Sequence, residues 1–207
     1  MRTAVIVQAR LGSTRYPGKI LAKLDGRPVL QHVLERCQKI GMDQVIVACP
    51  RDDDPKPVWE IARDLAYVSW PDCAENNVLR RYLLAAKAHG IDLVMRITAD
   101  CPFIQPHLCR MVLDTYRDGH CRFAAIGWPA TFPKGYGCEV FSTADLAFAH
   151  QNAFTPYDLE HVTPWMERNL MTEYLTQDTN ESHLNYCVDY PRDIGRLEKL
   201  QSQGLVA

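Results

Sequence analysis

The sequence predicts an α/β protein, and two alternating patterns lead to that prediction. Short β-branched apolar runs, such as Thr3–Gln8 and residues 44–49, have the composition of strands that are buried on both faces of a sheet. Segments with apolar residues at helical spacing, such as 29–37 and 77–89, lie between them. No internal repeat, low-complexity tract or linker breaks the alternation. We therefore expect one α/β domain over residues 1–207, with a loop-rich insertion in its last third.

The remaining elements follow from the same patterns, and glycine and proline mark their bounds. Further strands are expected at residues 67–70, 93–97, 121–126, 138–141, 174–176 and 184–188. Further helices are expected at residues 59–65, 106–118, 142–149 and 191–203. Gly41, Gly90 and Gly119 follow the ends of three helices, where a glycine accepts the left-handed conformation that closes a helix.

The composition is that of an ordinary soluble protein, and it excludes several kinds of partner. The chain is 47% hydrophobic and 23% charged, and its 207 residues suffice for a hydrophobic core without disulfides or metals. A net charge of -2 gives no global attraction to nucleic acid or to an anionic membrane. No apolar stretch approaches the ~20 residues that span a bilayer, and no signal peptide precedes the first strand. We therefore expect a cytoplasmic protein with neither nucleic acid nor membrane as a partner.

Eight cysteines are many for this length, but their spacing indicates neither a metal site nor a disulfide framework. They form no C-x-x-C pair and no Cys/His cluster at zinc spacing. Several lie in apolar runs, for example Cys49 after the second strand and Cys187 before Val188. We expect most of them to be reduced core residues.

The loop after the first strand has the chemistry of an anion site. It reads Q-A-R-L-G-S-T-R-Y-P-G-K, from Gln8 to Lys19. Cations, glycines without a Cβ and hydroxyl donors come from Arg10, Arg15, Lys19, Gly12, Gly18, Ser13 and Thr14. Ligands of open α/β sheets bind beyond the carboxyl ends of the strands, which favours anion binding here. The spacing matches neither the phosphate-loop nor the dinucleotide fingerprint, so a solvated basic loop is the alternative.

Two further motifs leave a functional and a structural interpretation open. Asp52, Asp53 and Asp54 could hold a metal. Because neighbouring residues of an extended loop point in different directions, a solvated acidic turn is the preferred interpretation. Glu160 and His161 could act as acid and base or contact a sugar, whereas a surface helix pair is the commoner origin of such a sequence.

Two aspartates occupy equivalent places after predicted strands. Asp100 follows the strand at 93–97 and Asp189 follows the strand at 184–188, each with a proline two residues further on. A lone aspartate in a loop is usually a turn residue or a helix cap. If both strands are neighbours in one parallel sheet, the two carboxylates converge beside the basic loop. Such a set suits a magnesium nucleotide, because carboxylates bind Mg²⁺ while cations and N–H groups bind the phosphates.

Five segments together resemble a known family. They read A-R-L-G-S-T-R-Y-P-G-K, M-R-I-T-A-D-C-P-F-I, C-E-V-F-S, E-H-V-T-P and C-V-D-Y-P-R-D-I, in this order between residues 4 and 194. They resemble the cytidylyltransferase family that includes the spore-coat polysaccharide proteins of the SpsF type. That family is similar to the CMP-sugar synthetases acting on acylneuraminate and 3-deoxy-manno-octulosonate. The resemblance implies a single-domain nucleotide-diphosphosugar transferase fold, which is Rossmann-like, with a mixed, mainly parallel sheet flanked by helices.

The resemblance also implies a role for each part of the site. The nucleotide-binding residues would be Gln8, Ala9, Arg10, Leu11, Gly12, Ser13, Arg15, Lys19, Asn77 and Arg81. The catalytic set would be Arg10, Lys19, Asp100 and Asp189, in which the two aspartates would ligate Mg²⁺. Acceptor binding would fall to Glu139, Glu160 and His161, within a loop-rich acceptor and dimerisation region at about 128–183.

Two positions depart from the family pattern. Arg80 and Gly137 stand where SpsF-like proteins usually carry acids. The implied activity is the Mg²⁺-dependent transfer of CMP from CTP to a sugar or sugar acid by a homodimer. One alternative is a nucleotide-sugar glycosyltransferase, whose D-x-D motif residues 52–54 match in letters. The other is a nucleotide-binding subunit without turnover, for which the two departures are the reason.

Overall fold

A seven-stranded sheet forms the centre of the computed structural model, which describes residues 1–206. The strands are β1 Thr3–Gln8, β2 Lys23–Leu24, β3 Arg27–Pro28, β4 Gln44–Ala48, β5 Tyr67–Ser69, β6 Leu93–Thr98, β7 Phe123–Ile126, β8 Glu139–Ser142 and β9 Thr172–Leu175. β2 and β3 form a separate hairpin, and the sheet has the order β5-β4-β1-β6-β8-β7-β9. Within the seven-stranded sheet β8 alone is antiparallel to its neighbours, and the other pairs are parallel. The predicted mixed, mainly parallel sheet is confirmed.

Helices cover both faces of the sheet. They are α1 Val29–Cys37, α2 Pro55–Ala62, α3 Val78–Ala88, α4 Pro106–Arg117, α5 Thr143–Asn152, α6 Pro156–His161, α7 Pro164–Asn169 and α8 Arg192–Ser202. On one face, α1, α2 and α4 share a core with Val5 and Val7 of β1. On the other face, α3, α5, α6 and α7 share a core with Ala4 and Ile6. Because side chains of a strand alternate between faces, the residues of β1 that serve the two cores, Ala4 to Val7, are all apolar.

The register of the parallel strands aligns their carboxyl ends. Gln8 pairs with Ala48 of β4 and with Thr98 of β6. The loops after these three strands therefore leave the sheet side by side at one edge. This edge carries the basic loop, the acidic turn and Asp100.

The prediction of a strand at residues 184–188 is wrong. This segment joins no sheet, and its Asn185 forms an isolated bridge with Lys134. Its apolar side chains pack in a third core cluster, where Val188 lies with residues of α8. The N–H of Val188 donates to the carbonyl of Asp100 at 2.9 Å. The apolar composition therefore reflects packing against a helix, and the backbone groups bond to loops instead of to a neighbouring strand.

The other predicted elements are present, with bounds that differ by a few residues. Helix α2 begins at Pro55, earlier than predicted, because Asp54 caps it by accepting from the N–H of Lys56 at 3.0 Å. The segment with the E-H-V-T-P motif forms two short helices, α6 and α7, and Val162 between them has φ 74.

The cysteines and the helix lengths bear on two further expectations. All eight cysteines are free and buried, as expected of core residues. Within residues 1–206, no helix combines the length and the apolar character that crossing a membrane requires.

Candidate active site

Hydrogen bonds hold the basic loop, residues 8–19, in a compact turn. The N–H of Leu11 donates to the Asp53 carboxylate at 2.6 Å, and the N–H of Gly18 donates to the carbonyl of Leu11 at 2.9 Å. Gly18 has φ 69, a left-handed conformation that glycine adopts without steric cost. The 3₁₀ turn Lys19–Leu21 follows, and the Lys19 side chain is only 12% exposed. The loop therefore presents its last cation toward the protein.

Some backbone N–H groups of this loop bond within the protein, whereas those of Gly12, Thr14 and Arg15 have no acceptor among residues 1–206. Ala9 donates to the carbonyl of Ala48 at 3.1 Å, and Ser13 donates to the carbonyl of Leu11 at 3.0 Å. The N–H of Gly18 is therefore engaged within the loop, while the N–H of Gly12 is left without an acceptor in the part of the chain that the structure describes. At Gly12 the missing Cβ has another consequence, because a Cβ there would lie 2.9 Å from Oε1 of Glu75.

The acidic turn fixes neighbouring structure. Asp52 is exposed, as a solvated turn requires, but Asp53 binds the basic loop and Asp54 caps α2. The sequence pattern predicts the turn but not these two contacts, because they join the turn to other segments of the chain.

Lys19 lies between the two aspartates that the sequence singles out. Its Nζ is 2.5 Å from Oδ2 of Asp100 and 3.7 Å from Oδ1 of Asp189. Arg15 donates to the same Oδ1 of Asp189 at 2.9 Å. The predicted convergence of two carboxylates with the basic loop is present. Asp189 reaches this place on the extended segment after β9 and not on a strand of the sheet.

Charge keeps Asp100 ionised. Burial alone would raise the pKa of Asp100, but the charge and hydrogen bond of Lys19 outweigh burial and hold that pKa below its ordinary range. Thr98 lowers the pKa further by hydrogen bonding. Asp100 is therefore an anionic oxygen donor at neutral pH.

A carboxylate in the first turn of α8 positions Asp189. Asp193 accepts from the N–H of Asp189 at 2.9 Å and from the N–H of Tyr190 at 2.8 Å. Arg196 donates to Asp193 at 3.2 Å. Burial raises the pKa of Asp193, but these N–H donors and Arg196 outweigh burial, so the pKa lies below its ordinary value.

Lys134 is a site residue that sequence reasoning misses. Its Nζ donates to Oδ2 of Asp189 at 3.0 Å. The hydrogen bond to Asp189 raises the pKa of Lys134 above its ordinary value. The Gly/Pro-rich stretch at 129–137 predicts an irregular loop over a site, but no spacing pattern distinguishes this lysine from a surface lysine.

One cleft at the sheet edge collects most of the predicted nucleotide-binding residues. Its lining residues are Gln8, Ala9, Arg10, Ser13, Thr14, Arg15, Lys19, Ile20, Val78, Arg81, Thr98, Ala99, Asp100, Glu160 and His161. Leu11, Gly12 and Asn77 are predicted members that do not line it. Leu11 and Gly12 shape the loop, and Asn77 caps α3 by accepting from the N–H of Arg80 at 3.0 Å.

Arg10 spans the mouth of the cleft. Its guanidinium lies 3.6 Å from Oε1 of Glu75 and 3.8 Å from Oε1 of Glu160. His161 follows on α6, with its ring centroid 4.4 Å from that of Tyr157. Glu160 and His161 thus face the basic loop across the cleft and are not merely a surface pair.

Arg81 is a buried cation in the wall of the cleft. It is 1% exposed and donates to the carbonyl of Glu75, while its Nε has no hydrogen-bond partner. A buried donor without a partner is costly, because it has lost its hydrogen bonds with water. Arg81 therefore lines the cleft with a guanidinium whose shielded Nε has no partner.

The structure does not bring Glu139 into the cleft lining. Its carboxylate pairs with Arg96 of β6 at 2.7 Å, and Arg96 also donates to Gln8 at 3.3 Å. Burial and the nearby charge of Glu139 raise the pKa of Glu167 on α7. Glu139 therefore reaches the cleft only indirectly, through Arg96, which contacts Gln8 in the cleft lining.

The two departures from the family pattern lie in open places. Arg80 is exposed and does not line the cleft. At Gly137 an added Cβ would meet no atom within 4 Å. Neither residue is required by packing.

Comparison with known proteins agrees with this geometry. The chain matches the cytidylyltransferase family over residues 4–206. It is similar to an uncharacterised protein of Methanocaldococcus jannaschii, with 31% identity over 170 residues that cover 82% of this chain and 68% of that protein. It is also similar to a 3-deoxy-manno-octulosonate cytidylyltransferase of Idiomarina loihiensis, with 28% identity over 180 residues that cover 84% of this chain and 71% of that protein.

Two solved structures share the fold. A cytidylyltransferase from Leptospira borgpetersenii has a TM-score of 0.90 and 28% identity, covering 98% of this chain and 87% of that one. A CMP:2-keto-3-deoxy-manno-octonic acid synthetase complexed with CTP has a TM-score of 0.73 and 20% identity, covering 99% of this chain and 100% of that one. Because the family match spans nearly the whole sequence and the fold agrees, the chain belongs to the cytidylyltransferase family and is a nucleotidyltransferase.

Proposed function

We propose that this enzyme transfers CMP from CTP to a hydroxyl group of a sugar or sugar acid, in a Mg²⁺-dependent reaction of glycan synthesis that releases pyrophosphate. The observation that carries the proposal is Lys19 between Asp100 and Asp189, beside a loop with further cations. This arrangement lies at the carboxyl edge of the parallel strands, where α/β sheets bind nucleotides. The similarity to a 3-deoxy-manno-octulosonate cytidylyltransferase supports a sugar acid as the acceptor.

Side chains of the basic loop would bind the triphosphate. Arg10, Arg15 and Lys19 supply charged donors, and Ser13 supplies a hydroxyl. Because several N–H groups of this loop already have acceptors in the protein, we assign phosphate binding mainly to side chains. Arg81, in the cleft wall, would contact the base or the ribose.

Asp100 and Asp189 would hold Mg²⁺. Both offer carboxylate oxygens, and the Lys19 ammonium contacts one at 2.5 Å and lies 3.7 Å from the other, so a single cation can sit between them. Protein sites usually bind Mg²⁺ through one or two carboxylates and leave the remaining positions to water and phosphate. When bound, Mg²⁺ would neutralise charge on the phosphate oxygens of the nucleotide.

The enzyme's own side chains would position the reactants and stabilise charge. Phosphoryl-type transfer depends mainly on these two effects. Lys19 and Arg10 would stabilise the charge that develops on the leaving pyrophosphate. Glu160 and His161, across the cleft, would contact the acceptor, and Glu139 would act on that side through Arg96.

We extend the proposal to the domain organisation, the assembly and the compartment. The whole chain would work as one cytidylyltransferase domain, in which the region at about 128–183 serves acceptor binding and dimerisation. Three aromatic side chains of this region are strongly exposed, Trp128 at 78%, Phe154 at 81% and Tyr157 at 61%, which favours a homodimer contact there. Eight unbridged cysteines favour the reducing cytoplasm.

Two paired measurements test the proposed activity. Thermal-shift titration with CTP and Mg²⁺ measures nucleotide binding, and a pyrophosphate assay over a panel of sugar acids measures turnover. We expect stabilisation by CTP with Mg²⁺ and pyrophosphate release that requires an acceptor. Stabilisation without turnover on any acceptor would favour a binding subunit instead. Hydrolysis of a nucleotide sugar without pyrophosphate release from CTP would favour a glycosyltransferase.

A further inference from the structure

Lys134 contacts Asp189 from the side opposite to the basic loop. Its Nζ is 3.0 Å from Oδ2, whereas Arg15 and Lys19 approach Oδ1 at 2.9 and 3.7 Å. Both oxygens of this buried carboxylate thus have cationic neighbours. The Asp189 side chain is 11% exposed, so little of it remains for solvent.

The backbone around Lys134 is built to keep the lysine at this place. The N–H of Lys134 donates to the carbonyl of Leu184 at 2.9 Å, and the N–H of Tyr186 donates to the carbonyl of Lys134 at 2.7 Å. Gly135 follows with φ 108, and a Cβ there would lie 3.0 Å from the carbonyl carbon of Tyr186. The loop is therefore fastened to the segment that carries Asp189, which keeps the lysine backbone close to its partner.

The charges around the two aspartates do not favour a divalent cation on its own. Two carboxylates, Asp100 and Asp189, face three cations, Arg15, Lys19 and Lys134. This set carries a net charge of about +1, and an added Mg²⁺ would raise it to about +3 in a partly buried site. A nucleoside triphosphate brings about four negative charges, which reverses the sign of the net charge at the site. Its phosphate oxygens also give the three cations new acceptors.

We propose that Lys134 is a positioning residue that forms an ion pair with Asp189 in the nucleotide-free enzyme. When the metal nucleotide binds, the Lys134 ammonium contacts a phosphate oxygen instead. The binding of metal and the binding of nucleotide are then coupled, because phosphate oxygens become the new partners of the cations that the metal displaces from the carboxylates. This inference rests on the proposed function, since it takes Asp189 as a ligand of the metal. It assigns to the loop at 129–137 a part in nucleotide binding in addition to acceptor binding.

Metal binding without turnover tests the inference. Mn²⁺ is the probe, and free Mn²⁺ is counted by electron paramagnetic resonance with and without CTP. The variants are Lys134→Met, Lys134→Arg and, as the matched control, the exposed Lys39→Met. Because the Lys134 side chain is 59% exposed, Lys134→Met is expected to fold, which its thermal midpoint checks.

Without CTP, Lys134→Met should bind Mn²⁺ about two- to fivefold more tightly than the wild type, because one cation that competes for Asp189 is gone and that cation is itself largely exposed. Lys134→Arg and Lys39→Met should match the wild type. With CTP, the advantage of Lys134→Met should vanish or reverse. If Lys134→Met and the wild type bind Mn²⁺ equally without CTP, and the wild type binds Mn²⁺ with CTP, the role of Lys134 is overturned while the proposed function stands. Absence of Mn²⁺ binding by the wild type even with CTP would overturn the proposed metal dependence as well.

Discussion

Gly137 stands where the family resemblance leads us to expect an acid, and the fold leaves room for one. A Cβ at this position would meet no atom within 4 Å, and its φ lies outside the left-handed region that favours glycine. The residue lies just before Glu139 of β8, on the side assigned to the acceptor. A carboxylate here would therefore change the charge of the acceptor side without disturbing the core.

Gly137→Asp should thus leave the free energy of unfolding within ~0.5 kcal/mol of the wild type, as for open surface positions. The KM for CTP should be unchanged, while the KM for the acceptor changes. Urea unfolding and steady-state kinetics measure the two effects. Gly195→Asp on the exposed face of α8 is the control, since its Cβ also has no neighbour within 4 Å. A changed KM for CTP with an unchanged KM for the acceptor would contradict the assignment.

Individual site residues were predictable where a charged side chain follows the end of a predicted strand. Arg10 and Asp100 follow β1 and β6 closely, Lys19 ends the loop after β1, and all three line the cleft. Lys134 and Asp53 were not predictable, because their roles depend on contacts across 55 and 42 residues of sequence. A lysine in a loop has the same local signature whether it faces water or an aspartate.

The first turn of α8 links helix formation to the site. Asp193 accepts from the N–H groups of Asp189 and Tyr190, which would otherwise lack partners where the chain enters the helix. A negative charge in the first turn is also favoured by the helix dipole. The same carboxylate thus stabilises the helix and orients the segment that presents Asp189.

Asp193→Asn should lower the free energy of unfolding by about 1.5–3 kcal/mol at neutral pH, the range for hydrogen bonds to charged groups. Because the pKa of Asp193 is lowered by folding, its contribution is fully present above the unfolded value of about 3.9. The contribution is lost as the pH falls through the lower folded value. Urea unfolding of variant and wild type at pH 7 and at pH 3 should therefore show a difference that shrinks in acid.

The exposed Asp178→Asn is the control for Asp193→Asn and should change stability little at either pH. A difference between Asp193→Asn and wild type that stays constant between the two pH values would contradict an ionised carboxylate in this role.

Most whole elements were predictable from periodicity, but the hairpin of β2 and β3 and the short helices α6 and α7 were not, and the strand at 184–188 was predicted wrongly. The strands of the parallel core and α1, α3 and α4 agree with the predicted positions, because burial on both faces or on one face imposes a clear apolar period. The segment 184–188 has the composition of a buried strand but packs against α8 outside the sheet. Apolar composition indicates that a segment is buried, but it does not indicate which backbone groups form hydrogen bonds with that segment.

At the scale of the molecule, the sheet edge brings together segments that are distant in sequence. The basic loop, Asp100 and the extended segment with Asp189 meet because β1 and β6 are neighbours and Val188 donates to the carbonyl of Asp100. Sequence order could suggest this meeting only through a sheet that includes 184–188. The two aspartates therefore converge beside the basic loop for a topological reason that differs from the predicted one.

The proposed homodimer is a prediction at this scale. Sedimentation equilibrium should give twice the chain mass of 23.6 kDa for the wild type. Replacing the exposed Phe154 and Tyr157 together by serine should shift the equilibrium toward monomer, because apolar surface supplies most of the association energy. The exposed Met111→Ser on α4 is the control. A monomeric wild type at micromolar concentration would exclude the proposed assembly.

The most direct measurement follows the α-phosphate of labelled CTP in the presence of Mg²⁺ and a sugar-acid panel. The wild type should transfer the label to an acceptor, in amounts equal to the pyrophosphate released. Asp100→Asn and Asp189→Asn should lower the transfer rate by about 10²-fold or more while keeping the wild-type circular dichroism spectrum. Asp52→Asn, in the exposed acidic turn, should transfer label at the wild-type rate. Undiminished label transfer by both Asp100→Asn and Asp189→Asn, or no transfer by the wild type to any acceptor, would contradict the account.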